Sequence, residues 1–582
     1  MNIGEPYFNP FPGLRPFSEQ DDRLFFGRDA QVDELLDRLQ QTRFVGVIGT
    51  SGSGKSSLVR AGLIPALHGG SLASAGSPNW EIVIARPGSN PIANLASALA
   101  ELGPVGDAST GDVNLRVGLT GAVLGSSALG LVEVVRQTRG ADTNLLVVID
   151  QFEEIFRFAR MASASQRDDE AVAFVRLLLA AVAQRETPIY VLITMRSDFL
   201  GDCARFHDFP EALNRGLFLV PRLSREQLRE AIEGPIAVAG ASITPRLVNA
   251  LLEDVGDDPK LLPVLQHALM RTFDVWADAA ARYAAIDLQH YDQTGRMSRA
   301  LDVHGEEIYF GRRGGYDSAP RPTPAETSQR TIAEHVFKLL TEKGPDERRV
   351  RRPTTFDACV RATGALGEPL REVVGAYRAR RSSFLMPPME TEIKGDTVLD
   401  ISHESLMANW TRLRKWIDEE AASGAHYTRL ATSADMFASR QTVLWRGPEL
   451  AAAVRWKKRQ QPKQGWAERY DPHLVRNMRF LAASKAERLC RRLWIGSVLF
   501  FIAAITGLIA GHFDNYPATD LTLTQSVIMI FVLLFCAGIA FCATYWLVMQ
   551  IRLRWLVWKI RSAPRTNVAS ATARESMAGA ID

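Results

Sequence analysis

One run, Gly49-Thr-Ser-Gly-Ser-Gly-Lys55-Ser56, constrains this 582-residue chain more than any other. It fits G-x-x-x-x-G-K-[ST]. It follows a short apolar strand, Phe44-Val-Gly-Val-Ile48, and opens a helix expected over residues 56–67, which is the context the motif requires. Its glycines let backbone N–H groups curl around phosphate oxygens, and the helix N-terminus adds the positive end of its dipole. In this reading Gly49, Thr50, Ser51, Gly52, Ser53, Gly54 and Ser57 belong to a phosphate cradle. Lys55 reaches the β- and γ-phosphates of ATP, and the Ser56 hydroxyl is a ligand for Mg²⁺.

The surrounding pattern alternates strands and helices. Apolar runs at 80–85, 144–149 and 189–195 read as strands, with a further one at 217–220, and helical spacing recurs between them. That alternation argues for an α/β domain with a parallel sheet. Asp150 ends the third strand, where a carboxylate would hold Mg²⁺ directly or through water. Glu153 and Glu154 follow, and either is placed to orient an attacking water as general base. Arg196, at the end of the next strand, would point at the γ-phosphate.

Composition sets outer limits. Lys and Arg number 68 against 65 Asp and Glu, so the chain is not a polycation that coats nucleic acid along its length. The five cysteines are scattered and none forms a C-x-x-C pair, which argues against a disulfide framework or a cysteine zinc site and fits a reducing compartment. Residues 1–20 lack the basic and apolar regions of a secretory signal. Beyond residue 221 the pattern turns helical. A linker is expected at 311–328, and a hairpin from strands at 382–388 and 396–402 suggests a small winged-helix-like unit.

Two uncharged apolar runs, 493–511 and 527–549, are each long enough to cross a ~30 Å hydrocarbon core at ~1.5 Å per residue. Lys485, Arg488, Arg491 and Arg492 precede the first, and Arg552, Arg554, Lys559 and Arg561 follow the second. The positive-inside rule then places both termini in the cytoplasm of a bacterial inner membrane, with lipid as a partner.

Six stretches carry a resemblance: FPGLRPF at 11–17, FFGRD at 25–29, GTSGSGKSSLVRAGLIPAL at 49–67, LLPVLQHAL at 261–269, VVIDQFEEIF at 147–156 and ISHESLMANWTRLRKW at 401–416. Together the chain resembles the STAND class of P-loop ATPases, in particular the novel STAND NTPase 1 group. The resemblance implies an AAA+/STAND-like ATPase core followed by helical and winged-helix domains. With the membrane reading, it divides the chain into an ATPase domain (1–221), a helical domain (222–325), a winged-helix-like domain (326–410), a helical connector (411–490), a transmembrane hairpin (491–551) and a tail (552–582). It implies an ADP-bound closed state and an ATP-bound state that self-associates on an unknown trigger. It also implies that Gly27 and Arg28 lie near the adenine, that Pro263 touches the base, and that His403 contacts the ADP β-phosphate.

The expected function is therefore a membrane-anchored signalling ATPase that acts through its apolar hairpin, in a setting of bacterial defence or cell death. The alternatives are a constitutive membrane ATPase or transport component, and a receptor or scaffold that binds nucleotide without turnover. Two basic clusters, Arg348/Arg349/Arg351/Arg352 and Arg455/Lys457/Lys458/Arg459/Lys463, read first as solvated helix faces, then as lipid-attracting, and last as nucleic-acid contacts.

Overall fold

The computed structural model describes residues 8–72, 79–102, 113–139, 143–159, 164–279, 284–311, 323–344, 347–364, 367–379 and 381–514, with scattered positions between 532 and 560. Its first layer is a five-stranded sheet of β1 (Phe44–Gly49), β2 (Trp80–Ala85), β3 (Asn144–Ile149), β4 (Ile189–Arg196) and β5 (Leu217–Leu219), in the order β2-β3-β4-β1-β5. Every pairing is parallel, with Val47 beside Thr194 and Val147 beside Val191.

The apolar runs are continuous because both faces of the sheet are covered. Ile48, Val147, Ile149 and Ile193 pack with Phe152, Phe156 and Phe209 on one side. Val45, Val47, Val148 and Leu192 pack with Leu35, Leu39, Leu58 and Leu63 on the other. Each such side chain contributes roughly 1.5–3 kcal/mol by leaving water. The glycine-rich loop leaves the C-terminal end of β1. Asp150 follows β3 and Arg196 ends β4, so all three meet at one edge of the sheet, where open parallel sheets bind ligands.

A helical layer follows: Arg225–Val238, Pro245–Val255, Leu262–Asp278 and Arg296–Phe310. Ser224 caps the first of these through the Gln227 N–H, and Thr244 caps the second through the Leu247 N–H. The N-terminal lead-in joins this layer. Phe11 and Leu14 are buried against it, and the Asn9 amide donates to the Met270 carbonyl at 2.9 Å. The last residues of the expected linker, 324–328, belong to helix Pro324–Leu339, where Thr323 and Glu326 form a reciprocal cap with Pro324 at the first turn. Residues 312–322 lie outside the described set.

Next come β6 (Thr341–Lys343), β7 (Arg349–Arg351), β8 (Thr354–Thr355), β9 (Leu385–Met386) and β10 (Val398–Ile401). β8, β10 and β9 form an antiparallel sheet, so the expected hairpin pairs as Ile401 with Leu385. Trp410, Phe337, Tyr377 and Phe384 fill the core beneath it, and that core is continuous with the helical layer. Helices Thr411–Ala438, Gly447–Gln460 and Leu474–Asp514 form a further bundle around Tyr427, Trp456, Trp466 and Phe480.

The membrane expectation is corrected here. Among the described residues no helix is long and apolar enough to cross a membrane, which overturns the two-span hairpin and the inner-membrane placement. The run at 493–511 continues a helix whose first half carries Arg476, Arg479, Lys485, Glu487, Arg488, Arg491 and Arg492. Nearly half of 527–549, including 527–531, and nearly all of the tail at 552–582 lie outside the described residues.

The basic clusters also change character. Arg348, Arg349, Arg351 and Arg352 sit on and beside β7, not on a helix, and pair with Asp198, Asp418, Asp400 and Glu342. Arg455, Lys457, Lys458 and Arg459 are exposed on the helix Gly447–Gln460, but Trp456 and Trp466 are buried and donate to Ser423 and Glu420. Those two aromatics therefore offer the cations no exposed stacking face.

Candidate nucleotide site

A cavity of about 200 Å³ opens at the C-terminal edge of the sheet. One end is apolar, with Phe17, Phe25, Phe26, Leu228 and Pro263. The other is polar, with Ser51 to Ser56, Glu153, Arg196, Arg351, His403 and Glu404.

The loop geometry follows from its glycines. Gly52 and Gly54 adopt φ of +83° and +86°, a region costly for residues with a Cβ. A Cβ on Gly52 would also press on the Lys260 backbone and Pro263 Cδ at 3.2–3.3 Å. The phosphate loop thus abuts the helical layer at the expected Pro263. Gly27 has φ +81° and packs against the Gln227 carbonyl. Arg28 is buried and donates to the carbonyls of Pro221 at 2.8 Å and Ser53 at 3.3 Å. Burial lowers its pKa to about 10. It therefore braces the loop, while Gly49 and Ser53 pack together behind it.

Lys55 folds over the loop, donating to the carbonyls of Gly49 at 3.0 Å and Thr50 at 2.7 Å. Burial lowers its pKa, against the field of Glu153. Ser57 accepts from the Phe17 N–H at 3.2 Å, which ties the lead-in to the loop helix.

Asp150 is fully engaged. Its Oδ1 accepts from Ser56 at 2.8 Å and Thr194 at 2.7 Å, and its Oδ2 from Arg60 at 3.2 Å. Burial works to raise its pKa, but Arg86, Arg60 and the two hydroxyls prevail and hold it low. The residues fit Mg²⁺ chemistry. The Ser56 hydroxyl spends its proton on Asp150, so its oxygen lone pairs are free to face a cation.

The two glutamates part company. Glu153 lines the cavity and accepts from the Arg196 N–H at 3.3 Å. Glu154 turns to the β2 side and accepts from the Gly88 N–H at 3.0 Å. Burial raises the pKa of both.

Arg196 reaches across the molecule. Its guanidinium donates to both carboxylate oxygens of Glu404 at 2.9 Å, and to Asp198 at 2.6 Å. Glu404 also accepts from the Ser51 hydroxyl at 2.9 Å. Burial works to raise the Glu404 pKa, but Arg196 and Arg351 overcome it and keep the group anionic. Beside it, His403 caps the helix Glu404–Asn409, with Nδ1 accepting from the Ser405 N–H at 3.1 Å. Nδ1 thus carries no proton, and the neutral ring bears it on Nε2. Burial, then the field of Arg351, lowers the His403 pKa to about 4.

All the sequence-derived residues except Glu154 and Gly27, which packs on Gln227, therefore line the cavity, belong to its loop or bond to it. Missed from sequence were Arg60, Arg86, Gln151, Arg351 and the bridging role of Glu404. Arg60 alone left a signal, one helical turn beyond Ser56. His267 and His304 are buried with ring nitrogens 3.3 Å apart.

A parallel sheet with this loop after β1 and Asp150 after β3 defines a P-loop nucleotide-binding protein. The family model of novel STAND NTPase 1 matches residues 10–443, and the chain belongs to that family. No curated protein matches. Among solved structures, the Aeropyrum pernix ORC1 protein in complex with DNA is 13% identical (TM-score 0.32), covering 68% of this chain and 93% of that one. The Walker-type ATPase PABY2304 of Pyrococcus abyssi is 13% identical (TM-score 0.33), covering 69% and 98%. Cdc6p from Pyrobaculum aerophilum is 14% identical (TM-score 0.26), covering 68% and 94%.

Proposed function

We propose that this protein is an ADP/ATP-controlled switch, a slow ATPase whose winged-helix-like unit (β8, β9, β10 and their helices) closes over ADP and releases when ATP replaces it. The observation that carries the reading is the Arg196–Glu404–Ser51 bridge. Arg196 ends a core strand in the position of a γ-phosphate sensor, and a carboxylate from the winged unit occupies it. Glu404 and a γ-phosphate are both anions competing for one guanidinium. ADP leaves the bridge intact, whereas ATP favours its rupture. A partly buried, charge-assisted pair of this kind is worth about 1.5–3 kcal/mol, enough to shift a two-state population by roughly ten- to a hundredfold.

Each residue then has a role. The loop N–H groups and Lys55 hold the phosphates. Ser56, with Asp150, would hold Mg²⁺, which supplies charge neutralisation of the phosphates. Glu153 is placed to orient water. His403 offers its Nε2 proton to the β-phosphate of ADP, and Pro263 with the apolar end of the cavity receives the base. Opening would free surfaces for self-association of protomers. The test is nucleotide exchange on the full chain. Glu404→Gln should release a fluorescent ADP analogue faster than wild type and raise the affinity for ATP relative to ADP. Equal release rates and an unchanged ATP/ADP ratio contradict the reading.

A further inference from the structure

Arg351 is a cation of the site that comes from the winged unit and belongs to neither the loop, the core strands nor the helix of His403. It sits on β7, and its side chain, 12% exposed, lines the cavity. One guanidinium nitrogen donates to Asp400 Oδ2 at 2.7 Å and to the Ile401 carbonyl at 3.2 Å. The other donates to Gln151 Oε1 at 2.9 Å. Its own carbonyl accepts from Arg157 at 2.9 Å.

Both ends of this clamp are chemically placed. Gln151 directly follows Asp150 and has φ +62°, a left-handed conformation that costs a non-glycine residue about 1–3 kcal/mol. It is held there partly by its N–H bond to Thr194 Oγ1 at 3.0 Å, the same hydroxyl that donates to Asp150. Asp400 and Ile401 end β10, directly before the segment of His403 and Glu404. A change at the Asp150 turn therefore has a two-bond path to the strand that leads into His403.

We propose that Arg351 is a positioning residue that couples the turn after Asp150 to the strand leading into His403 and Glu404, and so sets how tightly ADP is retained. This rests on the switch reading above. Arg351 acts through geometry and through charge. Its bonds fix β10 against the core. Its cation faces His403 together with Lys55 from the loop and Arg196 from β4, with Glu404 as the opposing anion. Burial and these cations keep the imidazole neutral above about pH 4, so Nδ1 goes on accepting from Ser405.

The experiment follows release of a fluorescent ADP analogue from the full chain between pH 5 and 8, for wild type, Arg351→Gln, Arg351→Lys and Arg351→Gln/His403→Gln. Wild type should release slowly with a flat profile. Arg351→Gln should release about tenfold faster or more, since bonds to a charged group are lost. It should also acquire a rate that rises toward pH 5, because the second-largest influence on His403 is removed, although burial still holds its pKa below the ordinary value. The double variant should lose that pH dependence. Arg351→Lys, which keeps the charge but not the fork, should release faster yet stay flat. A wild-type rate in Arg351→Gln, or a faster rate with a flat profile, overturns the proposal while leaving the switch intact. If wild type itself fails to retain ADP, the switch reading fails, and this proposal with it.

Discussion

Ser51 of the phosphate loop donates its hydroxyl to Glu404 at 2.9 Å, although 353 positions separate them. The loop that would hold phosphate is thereby bonded to the unit that covers it. Glu404→Gln keeps the shape and the acceptor for Ser51 but removes the charge that Arg196 requires. Release of an ADP analogue should quicken about ten- to a hundredfold, the weight of a charge-assisted bond. Stopped-flow displacement measures it.

Lys55→Ala should abolish tight nucleotide binding. Lys55 is the cation that bridges the loop carbonyls where phosphate would sit. Titration calorimetry with ADP and with ATP checks this, and unchanged affinity would remove the P-loop from the site.

Glu153 and Glu154 differ in what they face, so their variants should separate. Glu153→Gln should lower single-turnover hydrolysis by roughly 10²–10⁴-fold, the range for loss of a general base. Glu154→Gln, whose carboxylate is spent on the Gly88 N–H, should lower it by much less. Reversed magnitudes would reassign the water-orienting role.

Acid should destabilise the nucleotide-free protein earlier than its carboxylates alone would. Burial depresses His267 to about 3, and His403 is held at about 4. Both lie below the unfolded value near 6.5, so between these limits the unfolded chain binds more protons. Their contribution is complete above about pH 6.5 and is lost as pH falls, approaching 1.4 kcal/mol per pH unit for each ring. Denaturant midpoints between pH 7 and 4.5 measure the slope, which His267→Asn should make shallower. An unchanged slope would mean that His267 is not buried neutral.

The ATPase core was legible because its determinants are local. A strand, a glycine loop and Lys55 lie within a dozen residues, and Asp150 and Arg196 each end an apolar run. The winged-unit contacts were not. Arg351 reads in sequence as one of four arginines in a basic run, and only folding puts it 2.9 Å from Gln151. Glu153 and Glu154 are adjacent, so spacing could not say which faces the cavity; the left-handed turn at Gln151 lies just before both. The apolar run at 493–511 misled in the opposite way. Hydropathy over a window does not register that the run continues a helix rich in arginine.

The most direct test is the mass of the full chain in solution with each nucleotide. With ADP bound, the protein should be a single protomer. With a non-hydrolysable ATP analogue and Mg²⁺ it should form a larger assembly, and Glu404→Gln should assemble at lower analogue concentration than wild type. The same mass in both states, with both nucleotides demonstrably bound, would contradict a nucleotide-controlled switch.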